Sequence, residues 1–236
     1  MFFRRLILPC VLLVGLVPGC LSPSGQGEAG AKPGINKNFT GPVDVDKYVG
    51  IFEGESREIF KHRARILEAL KLKPGMTVAD IGAGTGFFSM LFAREVGPGG
   101  KVYAVDISED FLKHIRAEVK KRGLTNVTTI RCSQRSAKLP PESIDLAFIC
   151  DVYHHFEHPS STMRSILRAL RPGGEVVVID FKRIEGVGSK WVLDHVRAGE
   201  EEVTREIVAD GFDVIRDGTK TPYLEENYMV RFRKKE

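Results

Sequence analysis

The chain is poor in the features that mark specialised classes. Four cysteines in 236 residues are too few for a disulfide-dense scaffold, and no Cys-x-x-Cys pair suggests a zinc or redox motif. Lys+Arg exceeds Asp+Glu by only 35 − 31 = 4, too little to argue for a nucleic-acid partner by electrostatics. The basic tail Arg231, Arg233, Lys234 and Lys235 reads as a solvated strand end. No apolar run approaches the roughly 20 residues of a comfortable membrane span, and no internal repeat points to a solenoid. What remains is ordinary. A hydrophobic share of 42% and a charged share of 28% suit a globular core, and the length suits one domain plus an appendage.

The appendage is N-terminal. Met1–Arg5 supplies positive charge, and Leu6–Val17 is an apolar stretch of signal-peptide length. It ends in Val17-Pro18-Gly19-Cys20, which resembles a lipobox, in which the cysteine is freed by cleavage and lipidated; Pro18 departs from the usual pattern. An ordinary cleaved signal and an uncleaved anchor are the alternatives. The expected organisation is a signal over 1–19, a flexible tether over 20–42 and a folded domain over 43–236. The tether expectation rests on Leu21–Gly41, rich in Gly, Ser, Pro and Ala and nearly without aromatics. Cys20 would then hold the protein to a membrane, outside the cytoplasm; if the signal is unused, the protein stays cytoplasmic.

Beyond the tether, strands and helices alternate. Ser56–Leu70 has helical spacing, closed by Lys73-Pro74-Gly75. Strands are predicted over Thr77–Ile81, Lys101–Asp106, Val127–Arg131, Ile144–Cys150 and Glu175–Asp180. Helices are predicted over Gly86–Glu95, Glu109–Arg122, Ser160–Leu170 and Trp191–Ala209, the last with a break at Gly199. Phe212–Ile215 and Tyr228–Phe232 close the pattern. This alternation predicts a doubly wound α/β sheet.

The informative stretch is Asp80-Ile81-Gly82-Ala83-Gly84-Thr85-Gly86. Glycines at alternate positions let the backbone turn sharply after a strand and approach a ligand closely. The helix that follows aims unpaired N–H groups at the same spot. A dinucleotide fingerprint needs Gly-x-Gly-x-x-Gly, but residue 87 is Phe, which disfavours a nicotinamide oxidoreductase. Asp106 ends the next strand about twenty residues on, where a carboxylate would meet a ribose diol.

Together with Val105-Asp106-Ile107-Ser108 and Leu170-Arg171-Pro172-Gly173-Gly174, this loop resembles class I S-adenosylmethionine-dependent methyltransferases. The small type 11 subgroup, similar to quinone-biosynthesis methyltransferases, is nearest in pattern. The resemblance implies a Rossmann-like sheet of seven strands, ordered 3-2-1-4-5-7-6 with the last strand antiparallel. It implies S-adenosylmethionine as cofactor and a small-molecule acceptor. Asp80, Gly82, Ala83, Gly84, Thr85 and Gly86 would hold its methionine part, Asp106 the ribose, and Ile107 the adenine. Where the family usually offers an Asp to the adenine amine, this chain has Ser133 beside Gln134, whose amide can substitute. In the implied order Cys132 and Cys150 stand three strands apart, on the order of 14 Å, so no disulfide is expected.

Methyl transfer from a sulfonium needs alignment and a water-poor pocket rather than an enzyme nucleophile or a metal. The acceptor-side candidates are Asp151, His154 and His155, just past the fourth strand. Asp151 either orients the acceptor and takes its proton or caps its loop. For His154 and His155, packing at the start of the helix is the plainer role and a base or metal-ligand role the sharper one; no metal site is expected. His158 adds no metal-ligand spacing. Arg57, His62 and Arg63 read first as a solvated helix face and second as groups that reach the cofactor carboxylate or cover the pocket; Trp191 and Phe181 read first as core and second as walls of the acceptor pocket. A non-catalytic cofactor-binding or scaffold lipoprotein is the rival reading, motivated by the missing adenine Asp and the expected export.

Overall fold

The computed structural model describes residues 30–216 and 221–235. The signal segment and Cys20 lie outside the described residues. Seven strands form one sheet: β1 (Thr77–Ile81), β2 (Lys101–Asp106), β3 (Val127–Arg131), β4 (Ile144–Cys150), β5 (Leu170–Phe181), β6 (Phe212–Val214) and β7 (Asn227–Lys234). Their spatial order is β3-β2-β1-β4-β5-β7-β6, as the resemblance implies. The pairs among β1 to β5 are parallel, and β7 runs antiparallel to both β5 and β6.

Alternation along the strands sorts side chains to two cores. Ala79, Ile81, Ala147, Ile149, Val176 and Val178 face one side, whereas Val78, Leu146, Phe148, Val177 and Ile179 face the other. Both faces are covered, so the central strands read as continuous apolar runs. Helices α4 (Phe87–Glu95), α5 (Glu109–Lys121), α6 (Pro159–Ala169) and α8 (Glu200–Ala209) lie close to the predicted spans, with the predicted break at Gly199 preceding α8 and following α7 (Lys190–His195). Ser108 caps α5 by accepting from the Phe111 N–H, which ties that helix to the end of β2. The strand order reverses between β1 and β4, which opens a crevice at their carboxyl ends.

Three local expectations differ from the structure. The helix expected over Ser56–Leu70 is two, α2 (Glu58–Lys61) and α3 (Arg63–Leu70), broken at His62. Strand β5 begins at Leu170 rather than Glu175. The Arg171–Gly174 stretch is a register shift within the β4–β5 pairing, since Ile144 faces Leu170 while Leu146 faces Glu175. The stretch expected as a tether is, from residue 30 on, folded onto the domain. The Ala31 N–H donates to the Glu157 carbonyl at 2.7 Å, and the Lys32 ammonium donates to the His195 carbonyl at 2.6 Å. Asn36 donates its side-chain amide to the His155 carbonyl at 2.9 Å. Composition hid this strap, because it orders through contacts to distant parts of the domain, polar ones from Ala31, Lys32 and Asn36 and aromatic ones from Phe39, rather than through a core of its own. It leads into α1 (Val45–Phe52), capped by Asp44.

Candidate functional site

The crevice holds a cavity of about 600 Å³, within the usual range for small-ligand sites. Its floor is the loop after β1. Gly82 and Gly86 both have positive φ, and a Cβ on Gly82 would lie 2.5 Å from a Val152 methyl carbon. A Cβ on Gly86 would lie 2.6 Å from Cγ1 of Ile115. Conformation and space both demand glycine there. The Gly82 and Ala83 N–H groups donate to the Val105 carbonyl at 2.8 and 3.0 Å, folding the loop over the end of β2. Thr85 is buried in the same wall.

Two buried carboxylates stand beside this loop. Asp106 accepts from the Gly84 N–H and from the Ser108 N–H, each at 2.8 Å, and Asp80 accepts from the Ser89 hydroxyl at 2.6 Å. Burial pushes Asp80 up to about 7 and Asp106 up to about 6, with the Asp106 charge adding to the effect at Asp80. Protons bound to the folded chain are therefore released at higher pH than in the unfolded chain. The burial cost of these groups is absent below the ordinary carboxylate range and develops as pH rises through about 6 to 7. The ligand-free protein is expected to lose thermal stability from pH 4 to 7.5 through these two groups. Asp80→Asn should flatten that slope in a melting series; an unchanged slope would rule Asp80 out as its source.

The remaining cofactor-side candidates, Ile107, Ser133 and Gln134, all line the cavity. Ser133 pairs with Ser136 as an isolated bridge, and Thr162 donates to the Gln134 carbonyl at 3.3 Å. Cys132 and Cys150 are free thiols facing the cavity, and burial pushes Cys132 up to about 12, so neither is a ready nucleophile.

Asp151 sits in the left-handed region at φ 52° and is fully engaged. One carboxylate oxygen accepts from Arg57 at 2.7 Å and the other from the Asn227 amide at 2.6 Å. Burial pushes its carboxyl upward, against the pull of the Arg57 charge. Arg57 also donates to the Phe52 carbonyl at 3.1 Å and lies over the Phe52 ring. The expectation that Arg57 belongs to a solvated helix face is thus corrected, because it reaches into the cavity from the start of α2. Arg63 keeps the solvated role, paired with exposed Glu55, while His62 lies tilted against the Tyr223 ring.

His154 and His155 form a 3-10 turn (Tyr153–His155) whose rings point toward α7. His154 is 3% exposed, with Nδ1 2.7 Å from Asp180 Oδ1. His155 Nε2 lies 3.4 Å from His195 Nε2. Burial pushes His155 down to about 3, and the neighbouring histidines add to this, so it stays neutral; burial lowers His195 too. Trp191, expected in the core, is 53% exposed and stacks on His195 at the cavity rim. Phe181 lies edge-on to it, between core and cavity.

Sequence reasoning missed the roof. Phe39, Tyr48 and Phe52 cluster with Phe111 at ring separations of 5.2 to 6.3 Å and line the cavity. The spacing of Tyr48 and Phe52, one helical turn apart, was the available signal. Asn227 and His195 carried none, since each meets the site only through long-range folding.

The fold, the glycine loop and the paired carboxylates define a class I S-adenosylmethionine-dependent methyltransferase. A family model described as "Methyltransferase domain" matches residues 72–227, and the chain belongs to this family. It is similar to the ubiquinone/menaquinone biosynthesis C-methyltransferase UbiE of Bordetella parapertussis, 32% identical over 113 residues, covering 48% of this chain and 43% of that protein. It is also similar to the demethylmenaquinone methyltransferase of Listeria monocytogenes, 31% identical over 134 residues, covering 57% of this chain and 56% of that one. The chain thus spans about half the length of the curated relatives it matches. Among solved structures, an S-adenosylmethionine-dependent methyltransferase of Aquifex aeolicus matches with a TM-score of 0.71 and 26% identity, covering 82% of this chain and 100% of that one. The [4+2]-cyclase SpnF shares the fold at a TM-score of 0.61 and 20% identity, covering 73% of this chain and 80% of that one.

Proposed function

We propose that this protein transfers a methyl group from S-adenosylmethionine to a small acceptor with a largely apolar, planar body. The observation that carries this is one shared cavity. The glycine loop and Asp106 lie on one side, Asp151 and the histidines on the other, and aromatic rings roof it. The cofactor fits the residues present. Gly82 and Gly84, both with positive φ, line the cavity and bring the loop backbone up to it, and two buried carboxylates suit a ligand carrying a sulfonium, an ammonium and a ribose diol. The acceptor class draws support from the aromatic walls and from the quinone pathways named for the curated relatives.

When bound, the cofactor supplies a methyl group on a cationic sulfur. The chain supplies position and dryness. Asp80 and the Gly82–Gly86 backbone would hold the methionine end and Asp106 the ribose; Ile107, Ser133 and Gln134 would border the adenine. Phe39, Tyr48 and Phe52 close the roof and exclude water, which favours a displacement that disperses charge. Asp151, pinned by Arg57 and Asn227, orients polar groups on the acceptor side.

Labelled methyl donor, offered with hydroxylated naphthoquinones, phenols and simple thiols, tests this. Acceptor-dependent transfer to the ring compounds is expected. Tight binding of S-adenosylhomocysteine with no transfer to any acceptor would favour the scaffold reading instead.

We further propose that the protein is exported and held to a membrane by lipid on Cys20. The supporting features are the basic, apolar and Val17-Pro18-Gly19-Cys20 segments in series. Among the described residues no helix is long and apolar enough to cross a membrane. Cys20→Ala is expected to abolish metabolic labelling by fatty acid, and labelling that persists would remove this proposal.

A further inference from the structure

Three imidazoles meet at the acceptor end of the cavity. One ring nitrogen from each of His154, His155 and His195 lies within 4.8 Å of the others. We propose that these three histidines form a site for one divalent transition-metal ion of the zinc class, with its open position facing the cavity.

The donor set comes first. Three neutral imidazoles with a fourth position left to water or substrate are a known arrangement for tetrahedral zinc. Two nitrogens bound at about 2.0–2.1 Å in tetrahedral geometry stand roughly 3.4 Å apart. His155 Nε2 and His195 Nε2 are 3.4 Å apart.

The outer shell agrees. Nδ1 of His154 is paired with the buried Asp180 carboxylate at 2.7 Å, which leaves Nε2 as the ligand atom. A carboxylate behind a ligating imidazole fixes both its tautomer and its orientation. Asp180 is itself held, accepting from the His154 and Phe181 N–H groups at 3.1 and 2.8 Å.

A hydrogen-bonded pair of histidines is the plainer alternative, and it accounts for two rings only. It gives no role to the third ring, nor to the carboxylate that aims it. Aromatic rings flank the three imidazoles. Phe39 meets the edge of His155, Phe181 that of His154, and Trp191 stacks on His195 at 4.7 Å.

An ion here would take an ionised oxygen or sulfur of the acceptor into its open position. That role rests on the methyl-transfer reading; occupancy of the site does not.

The test uses the tag-free full chain, stripped with chelator and titrated with cobalt(II). The expected result is one equivalent bound, the intense visible absorption of tetrahedral cobalt, displacement by zinc, and quenching of Trp191, the sole tryptophan. His195→Ala should abolish these signals, and Asp180→Asn should weaken binding by about 10- to 100-fold. S-adenosylhomocysteine affinity of the His195→Ala protein, unchanged within about twofold, verifies its fold. Absence of stoichiometric cobalt, or equal binding by His195→Ala, overturns the site. Cobalt binding without methyl transfer to any acceptor would sink the activity reading and leave the site standing. Transfer without cobalt or zinc binding would do the reverse.

Discussion

Asp106→Ala is expected to lower affinity for S-adenosylhomocysteine by about 100-fold. The side chain does two jobs. Its oxygens accept from the Gly84 and Ser108 N–H groups at 2.8 Å each, so it fixes the glycine loop and the start of α5 together. Truncation strands two buried donors, and hydrogen bonds to a charged group contribute about 1.5–3 kcal/mol each. The site then loses both the proposed ribose contact and the shape of its floor. Asp106→Asn should fall between, since its amide can accept from one N–H but opposes the second. Calorimetric titration decides the matter. Affinity for S-adenosylhomocysteine unaltered in Asp106→Ala would remove Asp106 from the binding site.

Arg57→Met should cost about 3 kcal/mol of stability at pH 7.5, because breaking one side of a buried ion pair leaves the other charge uncompensated. The side chain of Asp151 is 7% exposed and that of Arg57 is 25% exposed, which places the pair near the lower end of the buried range. For a domain of this size the melting temperature should drop by about 6–12 °C. The loss should also depend on pH. Without Arg57 the Asp151 carboxyl rises further, and protonation then removes the uncompensated charge. The deficit relative to wild type should therefore shrink as pH falls through the raised value, and Arg57→Met/Asp151→Asn should recover most of it. A deficit constant from pH 5 to 8 would show that lost contact with Phe52, rather than charge, is responsible.

The sheet was legible because its strands are buried on both faces. Val176–Ile179 and Leu146–Cys150 are apolar runs too short for buried helices, and the turns between elements carry Gly and Pro. The glycine loop was legible for a different reason: its residues touch one another locally, so spacing alone carries the geometry. Asp106 follows from the same rule, one strand over. The acceptor side was harder to read. Arg57 pairs with Asp151, 94 residues away, and Asn227 reaches the same carboxylate across 76. No local pattern encodes either contact. His195 lies inside the helix predicted over Trp191–Ala209, and only folding sets α7 beside the turn after β4. Residues 30–42 misled most, since a Gly- and Pro-containing polar strap and a free tether share one composition.

The central claim is that the cavity floor seats a sulfonium nucleoside. Isothermal titration of the full chain with S-adenosylhomocysteine, and separately with NAD, addresses it directly. The account predicts micromolar, one-to-one binding of S-adenosylhomocysteine and no measurable heat from NAD. Binding of NAD without S-adenosylhomocysteine would contradict it.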